Sequence, residues 1–241
     1  MNIVLDTHTH TIASGHAYST ISEMVTAAKE KNLELLAITE HAMNMPGTCH
    51  EFYFHNLRVI PRNLQGVQLL FGTEANIVDY EGHLDMNEDV LKQMDLVIAS
   101  LHGPCIDAGT KEENTSAIIG AMKNPYVNII GHPDDGRFPI DYEMMVQAAK
   151  EYRVCIELNN SSLNPNGFRS NTHANALIYL ELCKQYEVPI TLGSDAHIHY
   201  DVANYCYAME LIKEVEFPEH LIMNTNKERF LQFIQDKKSL L

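Results

Sequence analysis

The chain has 241 residues, 45% of them hydrophobic, which is enough to bury one sizeable α/β core, and its formal net charge of −15 counts against a sequence-independent grip on DNA or RNA. No apolar run approaches the roughly 20 residues needed to cross a bilayer, so a membrane partner is not expected. The five cysteines are odd in number and scattered without a C-x-x-C, which fits free thiols in a reducing compartment. The opening Met-Asn-Ile-Val-Leu-Asp lacks a secretory signal, so a cytoplasmic protein is expected.

Short apolar runs bounded by polar residues recur at 3–5, 33–38, 67–71, 96–99, 127–130, 154–158 and 188–192. Their length and their Val, Ile and Leu content suit strands buried on both faces. Helical patterns alternate with them. Residues 22–32 follow a capping-box signal, Thr20 with Glu23. Residues 112–124, 141–152 and 171–187 carry apolar side chains at three- and four-residue steps, and 202–215 and 226–237 read as closing helices. Residues 43–61 show no assignable pattern. With no linker and no repeat, one domain over 1–241 is the economical reading. Alternation over seven strands predicts right-handed crossovers and a parallel sheet, with a closed (β/α) barrel favoured over an open doubly wound sheet.

The residues after each apolar run are chemically alike. The first run leads into Asp6, His8 and His10, with His16 in the following loop, and the second ends in Glu40 and His41. Glu74 follows the third, His102 the fourth, His132 the fifth, and Glu157, Asn159 and Asn160 the sixth; Asp195 and His197 follow the seventh. In a parallel barrel these ends open on one face. Seven of the 13 histidines therefore converge there with at least two carboxylates. Crowded imidazoles repel when protonated and gain nothing when neutral, whereas divalent metal ions bind both donor types well. Nine candidate ligands, His8, His10, His16, His41, Glu74, His102, His132, Asp195 and His197, suffice for two or three ions, with one carboxylate bridging a pair. His50, His55, His83, His173 and His220 lack this placement and read as ordinary structural or surface residues. His199 lies close enough to the cluster to be left open.

The motifs D-T-H-T-H, I-T-E-H, the acid after strand three, the histidines after strands four and five, and G-S-D-A-H resemble those of the polymerase and histidinol phosphatase (PHP) superfamily. G-H-A-Y-S-T, E-L-N-N-S-S and G-S-D-A-H are particularly similar to its small stand-alone YcdX-type phosphatases, and the resemblance extends over essentially the whole chain. It implies a distorted (β/α)7 barrel with three metal ions per chain at its C-terminal mouth, commonly zinc, with manganese or iron as substitutes. Carried over by position, His8, His10, Glu74 and Asp195 would hold the first ion. Glu74 as a bridge, with His102 and His132, would hold the second, and His16, His41 and His197 the third. The resemblance also implies that small homo-oligomers occur. Glu40 stands where many relatives have aspartate.

The expected chemistry is hydrolysis of a small phosphate monoester. A metal-bridging hydroxide would be the nucleophile, with His10, Glu74 and Asp195 in the catalytic centre. Arg137 and Arg169 are the mouth-side candidates for binding substrate phosphate, although ordinary surface charge is at least as good a reading of them. The rival readings are a phosphodiesterase or 3′–5′ exonuclease, which the acidic charge disfavours, a non-catalytic metal-binding module, and an amidohydrolase-like barrel.

Overall fold

The computed structural model describes residues 1–238; the last three positions of the expected 1–241 unit lie outside the described residues. The strands are β1 (Leu5–Asp6), β2 (Leu35–His41), β3 (Asn63–Leu64), β4 (Val67–Asn76), β5 (Leu96–Ser100), β6 (Ile129–Ile130), β7 (Cys155–Asn159) and β8 (Ile190–Gly193). They pair in the order β1-β2-β4-β5-β6-β7-β8, all parallel, with only the short β3 antiparallel to β4. Helices α1 (Ile21–Glu30), α2 (Glu51–Asn56), α3 (Glu88–Leu91), α4 (Lys111–Lys123), α5 (Tyr142–Tyr152), α6 (Thr172–Tyr186), α7 (Cys206–Glu214) and α8 (Lys227–Lys238) complete the chain. The sheet is nearly closed into a seven-stranded barrel, as expected.

Two helical expectations change. The 202–215 helix starts later, at Cys206, because residues 199–201 form a 3-10 turn and Ala203 has φ +55°. The unassigned 43–61 stretch contains α2, whose start is capped by His50 Nδ1 accepting the Phe52 N–H at 3.2 Å.

Strand parity places the polar residues. Leu5, Leu35, Ala37, Leu70, Leu96, Ile98, Ile129 and Cys155 pack inside the barrel with Met223, Phe230 and Ile234, so α8 plugs its lower end. The alternate residues, among them Leu36, Ile38, Leu69, Phe71, Val97 and Ile156, pack outward in the larger core that includes the helices. Because side chains alternate along a strand, the inward series continues upward from apolar residues to His41, Glu74, His102 and Glu157.

The seam between β1 and β8 is closed by backbone bonds at the mouth and by a side chain lower down. At the mouth, His10 N–H donates to Ala196 O (2.9 Å) and Asp195 N–H to His8 O (2.9 Å). Lower down, Asn224 replaces the missing ladder: its Oδ1 accepts Leu192 N–H (2.7 Å), and its Nδ2 donates to Leu5 O (3.0 Å) and Leu192 O (2.8 Å). Removing it leaves the buried Leu192 N–H unpaired at about 1–3 kcal/mol, while Leu5 O keeps Tyr205 OH (3.1 Å) and Leu192 O keeps Thr7 Oγ1 (3.2 Å). Asn224→Ala is therefore expected to destabilise the fold by about 1–3 kcal/mol, read as a lower urea midpoint. An unchanged midpoint would show that the seam closes without it.

Candidate metal centre

All nine sequence-predicted ligands meet at the mouth. His8, His10, His41, Glu74, His102, His132 and Asp195 are buried, His197 is half-buried and His16 is exposed. Glu74 is the hub. Its Oε2 lies 3.3 Å from His8 Nε2, 3.5 Å from His10 Nε2 and 2.8 Å from His41 Nδ1, and its Oε1 lies 3.2 Å from His102 Nε2 and 2.9 Å from His132 Nε2. Asp195 Oδ1 is 3.3 Å from His10 Nε2 and 3.6 Å from both His8 Nε2 and His197 Nδ1. His16 Nε2 comes within 3.2 Å of His41 Nε2, and its ring stacks on His41 and His197 with centroids 4.9 Å apart in each case. Ligand atoms within 4.8 Å of one another fall into three groups here: His8, His10 and Glu74; His41, Glu74 and His102; and His10, His41 and His197. A fourth such group, Asp79, Glu81 and His83, lies away from the barrel axis on a turn where His83 pairs with Asp79.

Hydrogen bonds around the rim assign the protons of four rings. His8 Nδ1 lies 2.7 Å from Glu157 Oε1, a carboxylate that can only accept, so Nδ1 carries a proton. Ser14 Oγ gives its single proton to Glu40 Oε2 (2.5 Å) and accepts the His41 N–H (3.1 Å), so His10 Nδ1, 3.1 Å away, donates to it. His102 Nδ1 donates to Asn76 Oδ1 (2.7 Å), because the Asn76 amide nitrogen is turned to Asp85 Oδ2 (2.6 Å). His197 Nδ1 donates to the Asp195 carbonyl (3.0 Å). In their neutral forms all four rings then hold a lone pair on Nε2.

Acceptors consequently face acceptors among buried side chains. His8 Nε2 and His10 Nε2 are 3.0 Å apart, and His102 Nε2 faces Glu74 Oε1 at 3.2 Å. His41 Nδ1 and Glu74 Oε2 are close but misaligned for a hydrogen bond, and both are buried without a partner. Such an arrangement calls for positive charge at its centre. Burial opposes charge on His8, but Glu157, Glu74 and Asp195 outweigh it and hold His8 well above the usual imidazole range. Burial, then His41 and His197, push His10 well below that range. Burial likewise works against the carboxylates, yet the surrounding imidazoles hold Glu74 and Asp195 well below the usual range. A proton on His8 Nε2 leaves the contacts of Glu74 with His102 Nε2 and His41 Nδ1 unrelieved. Several imidazole nitrogens and two ionised carboxylates without a thiolate are a fitting donor set for zinc, manganese or iron.

A family model described as the PHP domain matches residues 6–163. The chain belongs to the PHP family. Among relatives of this PHP chain, a "Probable phosphatase" from Caldicellulosiruptor bescii is 48% identical over 98% of the chain and 97% of the relative. A second protein of that name, from Clostridium novyi, is 45% identical over 100% and 98%. A solved histidinol phosphate phosphatase from Lactococcus lactis, complexed with zinc, L-histidinol and phosphate, shares the fold with a TM-score of 0.63 at 20% identity, over 89% of this chain and 94% of that one.

The PHP chain also builds its mouth from Glu157, to which sequence reasoning gave no role, and from Glu40, for which the resemblance implied a supporting role behind the ligands. Glu157 is wholly buried and accepts from His8 Nδ1, His132 N–H (2.9 Å) and Asn159 Nδ2 (3.0 Å). Glu40 accepts from Thr11 N–H, Thr11 Oγ, Ser14 Oγ and Tyr53 OH, which ties α2 to the back of the site. The signal for both was available: a carboxylate inside an otherwise apolar buried strand needs partners. Two of the predicted ligands sit in backbone conformations rare for their residue type, His132 at φ +28° and Asp195 at φ +54°. Such strain costs about 1–3 kcal/mol per residue and clusters at functional sites.

Arg137 and Arg169 both line the mouth cavity of about 480 Å³, with His16, His102, Phe168 and His197. Arg137 is engaged with Asp135 through Nε (2.9 Å) and Nη2 (2.6 Å). Arg169 is nearly buried, 3.6 Å from Asp195 Oδ2. Of the other histidines, His55 pairs with Glu51 and His173 with Glu214. Among the described residues no helix is long and apolar enough to cross a membrane.

Proposed function

We propose that this PHP chain is a metal-dependent phosphatase that hydrolyses small phosphate monoesters at a cluster of three divalent cations. The observation that carries the reading is the convergence of imidazole lone pairs on one buried, ionised carboxylate, Glu74, with buried acceptors left unpaired around it. Relatives named probable phosphatase and the shared fold of a zinc-bound histidinol phosphate phosphatase support it. His8, His10, Glu74 and Asp195 would hold one ion, Glu74, His102 and His132 a second, and His16, His41 and His197 a third. Bound there, the ions supply Lewis acidity toward phosphoryl oxygens and activate water at neutral pH.

The chain's own residues hold the donors still. Glu157, Ser14 and Asn76 fix the rings of His8, His10 and His102 so that each presents Nε2, the arrangement by which supporting hydrogen bonds tune metal ligands. Arg169, held in the cavity wall beside Asp195, is placed to receive a phosphate oxygen, and Phe168 and Met45 offer apolar contact to the alcohol portion. A 480 Å³ cavity is the size of a small-metabolite site.

Chelation is expected to remove activity on an aryl phosphate, and zinc or manganese to restore it, with metal content followed by elemental analysis. Full activity after complete metal removal would sink the reading. Single-stranded oligonucleotide should be the poorer substrate; faster release of nucleotides than of phosphate from small monoesters would favour the exonuclease alternative.

A further inference from the structure

His199 belongs to none of the ligand groups above, yet it is tied to the loops that carry two of the ligands. Ser19, 1% exposed, accepts the His199 N–H at 3.0 Å and lies 2.9 Å from His199 Nδ1. Among the described residues the Ser19 hydroxyl proton has no other acceptor than Nδ1, which assigns His199 the Nε2–H tautomer, held by reciprocal bonds to one hydroxyl. The two residues are 180 positions apart in the chain. Beside this pair, Tyr18 N–H donates to His197 O at 2.7 Å, and Ile12 N–H donates to Ser19 O at 2.9 Å. The loop bearing His16 is thereby folded back on itself and stitched to the loop bearing His197. Lys31, at the far end of α1, adds a second tie through Nζ to the carbonyls of Tyr200 (2.8 Å) and Val202.

The region that these ties serve is the least enclosed part of the metal centre. His16 is exposed and His197 half-buried, whereas His8, His10, Glu74 and His132 lie deep in the barrel. The inner donors are set by strands and by Glu157, but no ladder pairing fixes residues 12–19 or 197–201. The distance between His16 and His197 is therefore set by the single Tyr18–His197 backbone bond together with the side-chain ties of Ser19, His199 and Lys31.

From this geometry we infer that the Ser19–His199 pair is a positioning latch for the outer cation subsite of His16, His41 and His197, which makes that ion the exchangeable one of the three. The inference rests on the metal-dependent reading of the same site. His199 touches no ligand group and acts through the loop geometry. Partners that orient metal ligands typically contribute ~10–100-fold in metal affinity.

The test uses the full chain loaded with zinc, and counts ions by elemental analysis and by competition with a chromogenic chelator. The wild-type chain should hold three zinc ions, one more weakly than the others. Ser19→Ala and His199→Ala should keep the two inner ions, and bind the outer one ~10–100-fold more weakly. His199→Asn, whose Oδ1 stands near the place of Nδ1, should recover most of the outer affinity, a rescue that general loosening of the loop does not produce. Alanine variants that hold all three ions as tightly as wild type overturn the latch, as do variants that lose inner and outer ions in parallel. A wild-type chain holding only the two inner ions also overturns it. A wild-type chain that takes up no zinc overturns the metal reading itself, a result visible before any variant is made.

Discussion

Glu74→Gln is expected to lower phosphatase turnover on the order of a thousandfold or more while the chain stays folded. Cations held at this cluster would stabilise transition-state charge by several kcal/mol, and each 1.36 kcal/mol is a factor of about ten in rate. Glu74 faces five imidazoles within 3.5 Å, so removing its charge weakens every donor group that shares it. The amide would donate to two of the lone pairs now facing Oε1 or Oε2, relieving the unpaired contacts of the metal-free form. Metal-free Glu74→Gln should therefore melt no lower than metal-free wild type, which separates lost chemistry from lost folding. His10→Ala and Asp195→Ala should also abolish turnover. Near-normal kcat/KM on an aryl phosphate in any of the three would refute the proposed role of the cluster.

The seven-strand plan was legible because each buried parallel strand leaves a short Val, Ile and Leu run, and each run falls on an observed strand or overlaps it. The convergence of nine ligand-type side chains was legible from the same runs, since a parallel barrel sends every strand end to one face. Less legible was what depends on pairing across the chain. Nothing in V-C-I-E-L-N shows that Glu157 meets His8, 149 positions away, or that His132 takes a positive φ so that its N–H reaches the same carboxylate. The segment 43–61 hid a short helix because its start is capped by a histidine, an unusual capping residue, and its helix is only six residues long. The proton positions that argue most strongly for cations follow from Ser14, Asn76 and Glu157 together, and therefore from three-dimensional contacts alone.

Gly193→Ala is expected to disable the site without touching a ligand. A Cβ at position 193 would lie 1.9 Å from Glu157 Oε1 and 3.0 Å from His8 Cβ, so the carboxylate must leave its place between His8 Nδ1 and the His132 N–H. The expected result is a ~10–100-fold loss of zinc affinity, with about 1–3 kcal/mol of overpacking strain. Glu157→Gln reaches a similar loss by another route. Its amide must point either at His132 N–H, setting donor against donor, or at His8 Nδ1, forcing that ring's proton onto Nε2 and removing the inward lone pair. The two sites should be strongly coupled, because the severe clash of alanine at 193 is with Glu157, and the remaining contact with His8 Cβ at 3.0 Å needs only a small shift. In a Glu157→Ala background Gly193→Ala should cost little, giving a coupling of about 0.5–3 kcal/mol in a double-mutant cycle on stability. Additive effects would mean that the glycine serves the backbone of β8 rather than the carboxylate, and that His8 is oriented by something other than Glu157.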